Sequence, residues 1–461
     1  MNKILAPTKL YPLAALLFIG LLALPVFMQL NWHCFNGFTT SIYSQAMYAM
    51  GPTNLNPELS LAPFRIFNYH FEPIILAFAF LTRMFPPNQV LVIIESAFVI
   101  LSAIPLVYLY KKNKIGPLVA SAGVFYLLFH KGVVNSIAQP VHPSTWAVLP
   151  ISMLCAFIIT KNRAGILIST VLLFAFGEVF LLVPLTLIPW LHNKRESLTH
   201  YRKRNKRYAN GLALITMAWV VLVLFGGYDT SKWHLDSDYS LEKLRIILEI
   251  CLPLFPILYV NYIRGIGLNT PIMVCGLGRF FFMLISGQWT ESHAAYIPIF
   301  FLYTSLPLYS QHTNKYVDLS PTQLLATLLI VFGVSAFNLK SSLDVYAGVG
   351  VPGQCSVEKE RLTAIEEAVK FLNYNQEGAL LAEGHLIPSL VTRPEVYMMF
   401  GKKRSLKGYR YLYLEKPPYG VSWPNTADKV LELYEKFKAT GSAEVIIDNK
   451  FIFLGEGTFL Q

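Results

Sequence analysis

The sequence predicts an α-helical polytopic membrane protein of about 11 spans, followed by a small soluble α/β domain. Three observations predict it. Of the 461 residues, 54% are hydrophobic and only 14% are charged, where a soluble chain of this size is nearer a quarter charged. No Asp, Glu, Lys or Arg occurs between residues 10 and 57. The residues behind the formal charge of +11 stand in short basic clusters between apolar runs. That pattern marks membrane topology and excludes nucleic acid as the partner.

A spanning helix needs about 20 apolar residues. The candidate spans are 10–30, 89–110, 115–130, 145–160, 211–227, 244–261, 268–286, 294–309 and 321–339, with two shorter runs between 164 and 192. Although Met1–Leu10 followed by an apolar run is signal-like, the run is too long for a signal core, so an uncleaved first span is expected. Lys3/Lys9, Lys111/Lys112/Lys114 and Lys161/Arg163 are expected on the cytoplasmic side, together with residues 193–210, which hold seven basic residues and one acid. With those constraints, 164–192 must be a hairpin turning at Glu178. The run 74–85 has no crossing to make, so it must lie at the outer surface or dip in and return. The expected localisation is the cytoplasmic (inner) membrane, multi-pass, with the N-terminus inside and the C-terminus outside.

This threading sends the polar segments to one face: the long first outer loop 31–88, the segment 138–146, Glu178, and the loops 226–243 and 287–293. Residues 1–339 form the transmembrane domain and 340–461 the extracytoplasmic domain. In the latter, 357–375 and 426–438 have helical spacing, and five short runs alternate like strands. Gly348–Gly353 is no phosphate loop, since it follows no strand and opens no helix. Cys34 and Cys355 flank the membrane part and could pair outside; Cys155, Cys251 and Cys275 fall in apolar runs.

The outer-face motifs resemble the family of predicted multi-pass membrane proteins called domain of unknown function 2079. Phe38–Gln45 resembles the family's first-loop stretch ending in glutamine, and His70–Pro73 its His-Phe-Ser-Pro motif. His142–Ser144 is similar to its His-Pro-Glu motif, Gly177–Val179 to its Lys-Glu-Asp motif, and His293 to its late histidine. The family looks like the type C glycosyltransferases, which implies a polyprenyl-phosphate sugar donor and a site beneath the first outer loop. The family's first-loop acid is Thr39 here, its His-Pro-Glu acid is Ser144, and the residue after the late histidine is Ala294.

Glycosyl transfer needs a carboxylate to take the acceptor proton, groups that stabilise the departing phosphate, and an apolar groove for the lipid. Glu72 is the first candidate for the base and Glu178 the second, with His70 beside them. The competing role of Glu72 is to favour the N-terminus of helix 74–85 through its dipole. Arg279 and Arg65 are candidate phosphate ligands, while His142, His293, Gln45 and Tyr43 are candidate substrate contacts. Glu95, inside an apolar run, is expected to pair with a neighbouring helix. Three single histidines on separate segments raise a divalent metal, but their spacing does not support one, and the cofactor stays open. The expected partners are membrane lipid and a lipid-linked sugar. The alternative is a non-catalytic relative that binds a lipid-linked glycan or scaffolds an envelope complex. A transporter is disfavoured because no inverted repeat is visible.

Overall fold

The computed structural model describes residues 6–34, 38–62, 65–138, 141–177, 180, 183–185, 187–188, 199–225, 252–263, 272–273, 275–277, 291–306, 318–347, 356–398, 408–419, 427–439 and 443–457. The first expected span is the 25-residue helix Pro7–Asn31. At 1.5 Å per residue it is long enough for a bilayer core of about 30 Å. Its ladder widens to a π turn at Ile19–Ala23, where Pro25 has no N–H to return to the preceding turn.

The second span, Pro87–Lys111, also has 25 residues. It breaks at Ser102–Ala103, just before Pro105. The carbonyl of Ser102, lost to the helix ladder, instead accepts from Ser152 Oγ at 2.5 Å, and Ser152 in turn meets Tyr303 Oη at 2.6 Å. The third, Pro117–Ala138, is the most enclosed, with 89% of its apolar window buried. A carboxylate at its start satisfies the otherwise orphaned N–H groups: Asp318 accepts from Leu118 and Val119. Pro321–Val334 and Leu339–Tyr346 meet at a bend of 68°.

Among the described residues, three helices are long and apolar enough to cross a membrane, or four if the bent pair is one span. Pro143–Ile159, Arg163–Phe174 and Tyr208–Val221 are apolar but shorter. Of the expected span 244–261, residues 252–261 are described, as the turn Leu252–Leu254 and the start of the helix Phe255–Ile263, whereas most of 268–286, the hairpin tip at Glu178 and the loop 226–243 lie outside the described residues. The run 74–85 forms the helix Ile74–Arg83, about 15 Å long at helical rise and too short to cross. Its Ile74 N–H donates to Ala175 O at 2.8 Å.

The C-terminal segment follows its sequence pattern closely. Strands β1 (Leu380–Ala382), β2 (Val396–Met398), β3 (Tyr411–Glu415), β4 (Ala443–Asp448) and β5 (Ile452–Gly457) form one sheet in the order β2-β1-β3-β5-β4. β1 runs parallel to β2 and β3, whereas β5 is antiparallel to β3 and β4. Alternation along the strands sorts the two faces. Leu381, Leu412, Leu414 and Phe453 pack with Val430 and Phe437 of the helix Ala427–Ala439. Leu380, Tyr411, Ile452 and Leu454 turn the other way, into the core shared with Ala364, Ile365, Ala368 and Leu372 of the helix Lys359–Tyr374.

A buried charged cluster joins this sheet to the end of the first helix. The fully buried Arg361 bonds to Glu415 through two nitrogens, and Nη1 donates to the carbonyl of Trp32 at 2.9 Å. His385 Nε2 meets Glu415 Oε2 at 2.6 Å, while Glu383 accepts from the Glu415 N–H at 2.7 Å. Ser389 Oγ reaches His33 Nδ1 at 3.1 Å. Burial pushes the Glu383 carboxyl up to about 7. Burial also pulls the His33 imidazole down to about 4, with the charges of His385 and Arg361 adding to the effect. Cys34, next to His33, is disulfide-bonded. Cys155 and Cys275 form no disulfide, and Cys251 and Cys355 lie outside the described residues.

Removing one side of a buried ion pair leaves the other charge without compensation, at a cost of about 3–5 kcal/mol. Arg361→Ala should therefore lower the thermal midpoint in detergent and make the C-terminal sheet susceptible to limited proteolysis. Glu383 supplies a pH signature. Its folded pKa is raised, so its contribution to stability is complete below the ordinary carboxylate pKa and is lost as pH rises through about 7. Thermal unfolding measured from pH 5 to 9 should show a decline on the alkaline side that Glu383→Gln flattens.

Candidate functional site

The helix Phe38–Ala49 organises the candidate site. Four polar side chains on it each tie down a different segment. Thr40 Oγ1 accepts from Val141 N–H at 2.8 Å, and Tyr43 Oη donates to Glu72 Oε2 at 2.6 Å. Ser44 Oγ donates to Asn88 Oδ1 at 2.7 Å, and Gln45 Nε2 reaches Ser60 Oγ at 2.7 Å. All four are buried, so each needs a partner to offset lost hydration. The segments they hold carry the expected site motifs.

Glu72 is only 3% exposed. Pro73 is the N-cap of the short helix that follows, with no side-chain cap bond, and the Glu72 carboxylate meets the Tyr43 hydroxyl instead. Phe71, one residue earlier, faces away to pack on Trp219 at 5.1 Å, and Trp219 stacks on Phe174 at 5.5 Å. Tyr43 also meets His142 edge-on, with ring centroids 5.9 Å apart. His142 keeps part of its surface open. Packing around the ring, helped by the nearby charge of His70, pulls its pKa down to about 3, so the ring is neutral at physiological pH. Tyr43, His70, Glu72 and His142 thus come together from three separate stretches of sequence.

A second carboxylate stands behind them. Glu95, 1% exposed in the second span, lies beside the Thr145 side chain and the His142 backbone. Thr145 Oγ1 also meets Ser136 Oγ at 3.0 Å. Asn88 and Glu95 are seven residues apart and share one helix face. Sequence reasoning paired Glu95 with a neighbouring helix, and Thr145 lies in the first turn of the helix Pro143–Ile159. The one signal of its involvement was an acid within an apolar run. Next to it Trp146 is fully buried and stacks on Phe98 at 5.7 Å.

The remaining expected residues stand differently. Gln45 is engaged in folding the loop, since its Oε1 also accepts from Leu61 N–H at 3.2 Å. Arg65 is exposed, at an isolated bridge to Glu58. Glu178 and Arg279 lie outside the described residues, although Phe176, two residues before Glu178, packs on Phe98 at 5.6 Å. His293 belongs to the helix Glu291–Ser305, and its side chain is outside the description. Among the described residues no three His, Cys, Asp or Glu side chains are arranged to hold a metal ion.

Residues 14–228 match the family model described as predicted membrane protein DUF2079. It is the family that the motifs resemble, and the matched stretch contains His70, Glu72, Glu95 and His142. Over 98% of its length the chain is similar to a solved structure of the arabinofuranosyltransferase AftD from Mycobacteria, with a TM-score of 0.55 and 10% identity. A mutant of the same enzyme gives a TM-score of 0.54 and 11% identity over 97% of this chain. At that identity the likeness is one of fold. This chain spans 40% of the length of the first of those structures. No curated protein matches it.

Tyr43→Phe keeps the ring and removes the hydroxyl donor to Glu72. A buried carboxylate that loses a partner costs about 1–3 kcal/mol. The variant should unfold at a lower temperature in detergent, and Tyr43→Phe combined with Glu72→Gln should recover much of the difference.

Proposed function

We propose that this chain is a type C-like membrane glycosyltransferase that transfers a sugar from a polyprenyl phosphate at the outer face of the cytoplasmic membrane. The observation that carries the reading is the buried Glu72 carboxylate held by Tyr43 beside His70 and His142. The fold shared with an arabinofuranosyltransferase supports the reaction class. The clusters at Lys111–Lys114 and Lys161–Arg163, together with the disulfide at Cys34, support the outer face.

In this reading Glu72 takes the proton of the acceptor hydroxyl as the oxygen attacks the anomeric carbon. The Tyr43 hydroxyl orients the carboxylate and weakens its basicity until substrate takes over the bond. The neutral ring of His142 hydrogen-bonds the sugar or the departing phosphate without adding positive charge, with His70 beside it. Glu95 holds the His142 segment in register through Thr145. Glu178 is the second candidate base, and Arg279 and Arg65 are candidate phosphate ligands.

A second reading rests on the same burial. A carboxylate 3% exposed and already bonded to a tyrosine, with Thr39 at the place of the family's acid, fits a non-catalytic relative that binds a lipid-linked glycan. Proteoliposomes containing the full chain, given a panel of polyprenyl-phosphate sugars that begins with arabinofuranosyl, separate the two readings. On the enzyme reading the wild type transfers and Glu72→Gln loses about 10²–10⁴-fold in rate, with its thermal midpoint nearly kept. Transfer left intact in both Glu72→Gln and Glu178→Gln rules that assignment out, and saturable binding without transfer favours the second reading.

A further inference from the structure

A groove of about 370 Å³ lies on the flank of the bundle, away from the candidate site. Leu101, Ile104 and Tyr108 of the second span form one wall, and Leu149, Met153 and Phe157 of the helix Pro143–Ile159 form the other. The spacing of four residues puts Leu149, Met153 and Phe157 on one helix face and Ile104 and Tyr108 on another. Leu101 and Ile104 are 41% and 44% exposed. Apart from the Tyr108 hydroxyl the walls are hydrocarbon and sulfur, so water gains no partners by filling the groove.

The lining of the groove selects a hydrocarbon occupant. An alkyl chain is thin enough to fit. Charge then selects the headgroup. The second span ends at Lys111, and the exposed Lys112 lies 5.8 Å from the ring centroid of Tyr108. The other wall ends two residues before the exposed Lys161. The floor at this end is set by Phe157, which packs on Tyr108 with centroids 6.2 Å apart and lies directly against Gly165, where a Cβ would meet the ring at 2.4 Å.

We propose that this groove binds one chain of an anionic phospholipid, with the headgroup phosphate at Lys112 and Lys161. The apolar walls hold the chain, and the two lysines select charge over a zwitterionic headgroup. The site is independent of the glycosyltransferase reading, since it uses none of those residues and faces the opposite way along the second span.

Native mass spectrometry of the full chain, delipidated and reloaded with phosphatidylglycerol or phosphatidylcholine, tests the site. The wild type should retain one phosphatidylglycerol under activation that strips phosphatidylcholine. Lys112→Ala and Lys161→Ala should each weaken that preference roughly fivefold, and as surface changes they should leave the thermal midpoint alone. Ala156→Trp, which fills the groove, should abolish retention of either lipid. Equal retention of both lipids by the wild type, or an undiminished preference in the double lysine variant, overturns the proposal. So does full retention in a folded Ala156→Trp protein.

Discussion

The constraint on which the structure depends is that polar side chains buried in an apolar surround must find partners. The helix Phe38–Ala49 carries Thr40, Tyr43, Ser44 and Gln45, all of them buried. Each unmet hydrogen bond there costs more than it would in water. Meeting them forces the 141–147 turn, the His70–Pro73 motif, the second span and the loop around Ser60 to converge on one short helix. The candidate site is a by-product of that convergence. Its carboxylate and histidines are held by the same bonds that fold the loop.

The same rule extends to the C-terminal sheet. Asn88, which accepts from Ser44, donates its own amide to the carbonyl of Pro388. Ser60, which meets Gln45, bonds both the N–H and the carbonyl of Val396 at the start of β2. The helix that presents Tyr43 to Glu72 is thus connected, through one further residue on each side, to the sheet. Arg361 closes a third link at the end of the first span. The helix that presents Tyr43 is therefore braced against the C-terminal sheet.

Much of the architecture was legible locally. The apolar windows anticipated Pro7–Asn31 and Pro87–Lys111, because helices in hydrocarbon must satisfy their own backbone and so are written as continuous apolar runs. The five short alternating runs anticipated β1 to β5, because one buried face per strand imposes period two. The length of 74–85 was enough to refuse it a crossing. For the site, the sequence picked out His70, Glu72, His142 and Tyr43 by residue type and order. It placed Gln45 among the candidate substrate contacts, and its amide bonds Ser60 and Leu61; it expected Glu95 to meet a neighbouring helix, and Glu95 lies beside Thr145 of Pro143–Ile159.

What the sequence leaves open about such residues has one cause. Whether a buried amide or carboxylate faces a ligand or a neighbouring turn depends on what lies across from it. Residues that are 40 or 300 positions distant in the chain decide that, as Asn88 shows for Ser44 and Pro388. The sequence by itself determined the solvent of each segment, the periodicity of each element and the small set of side chains able to do chemistry, since these follow from local composition and backbone geometry. Only the tertiary structure decided that Glu72 meets Tyr43 rather than the following helix, that Glu95 backs His142, and that the sheet is anchored through Arg361, because burial assigns polar partners by proximity in space.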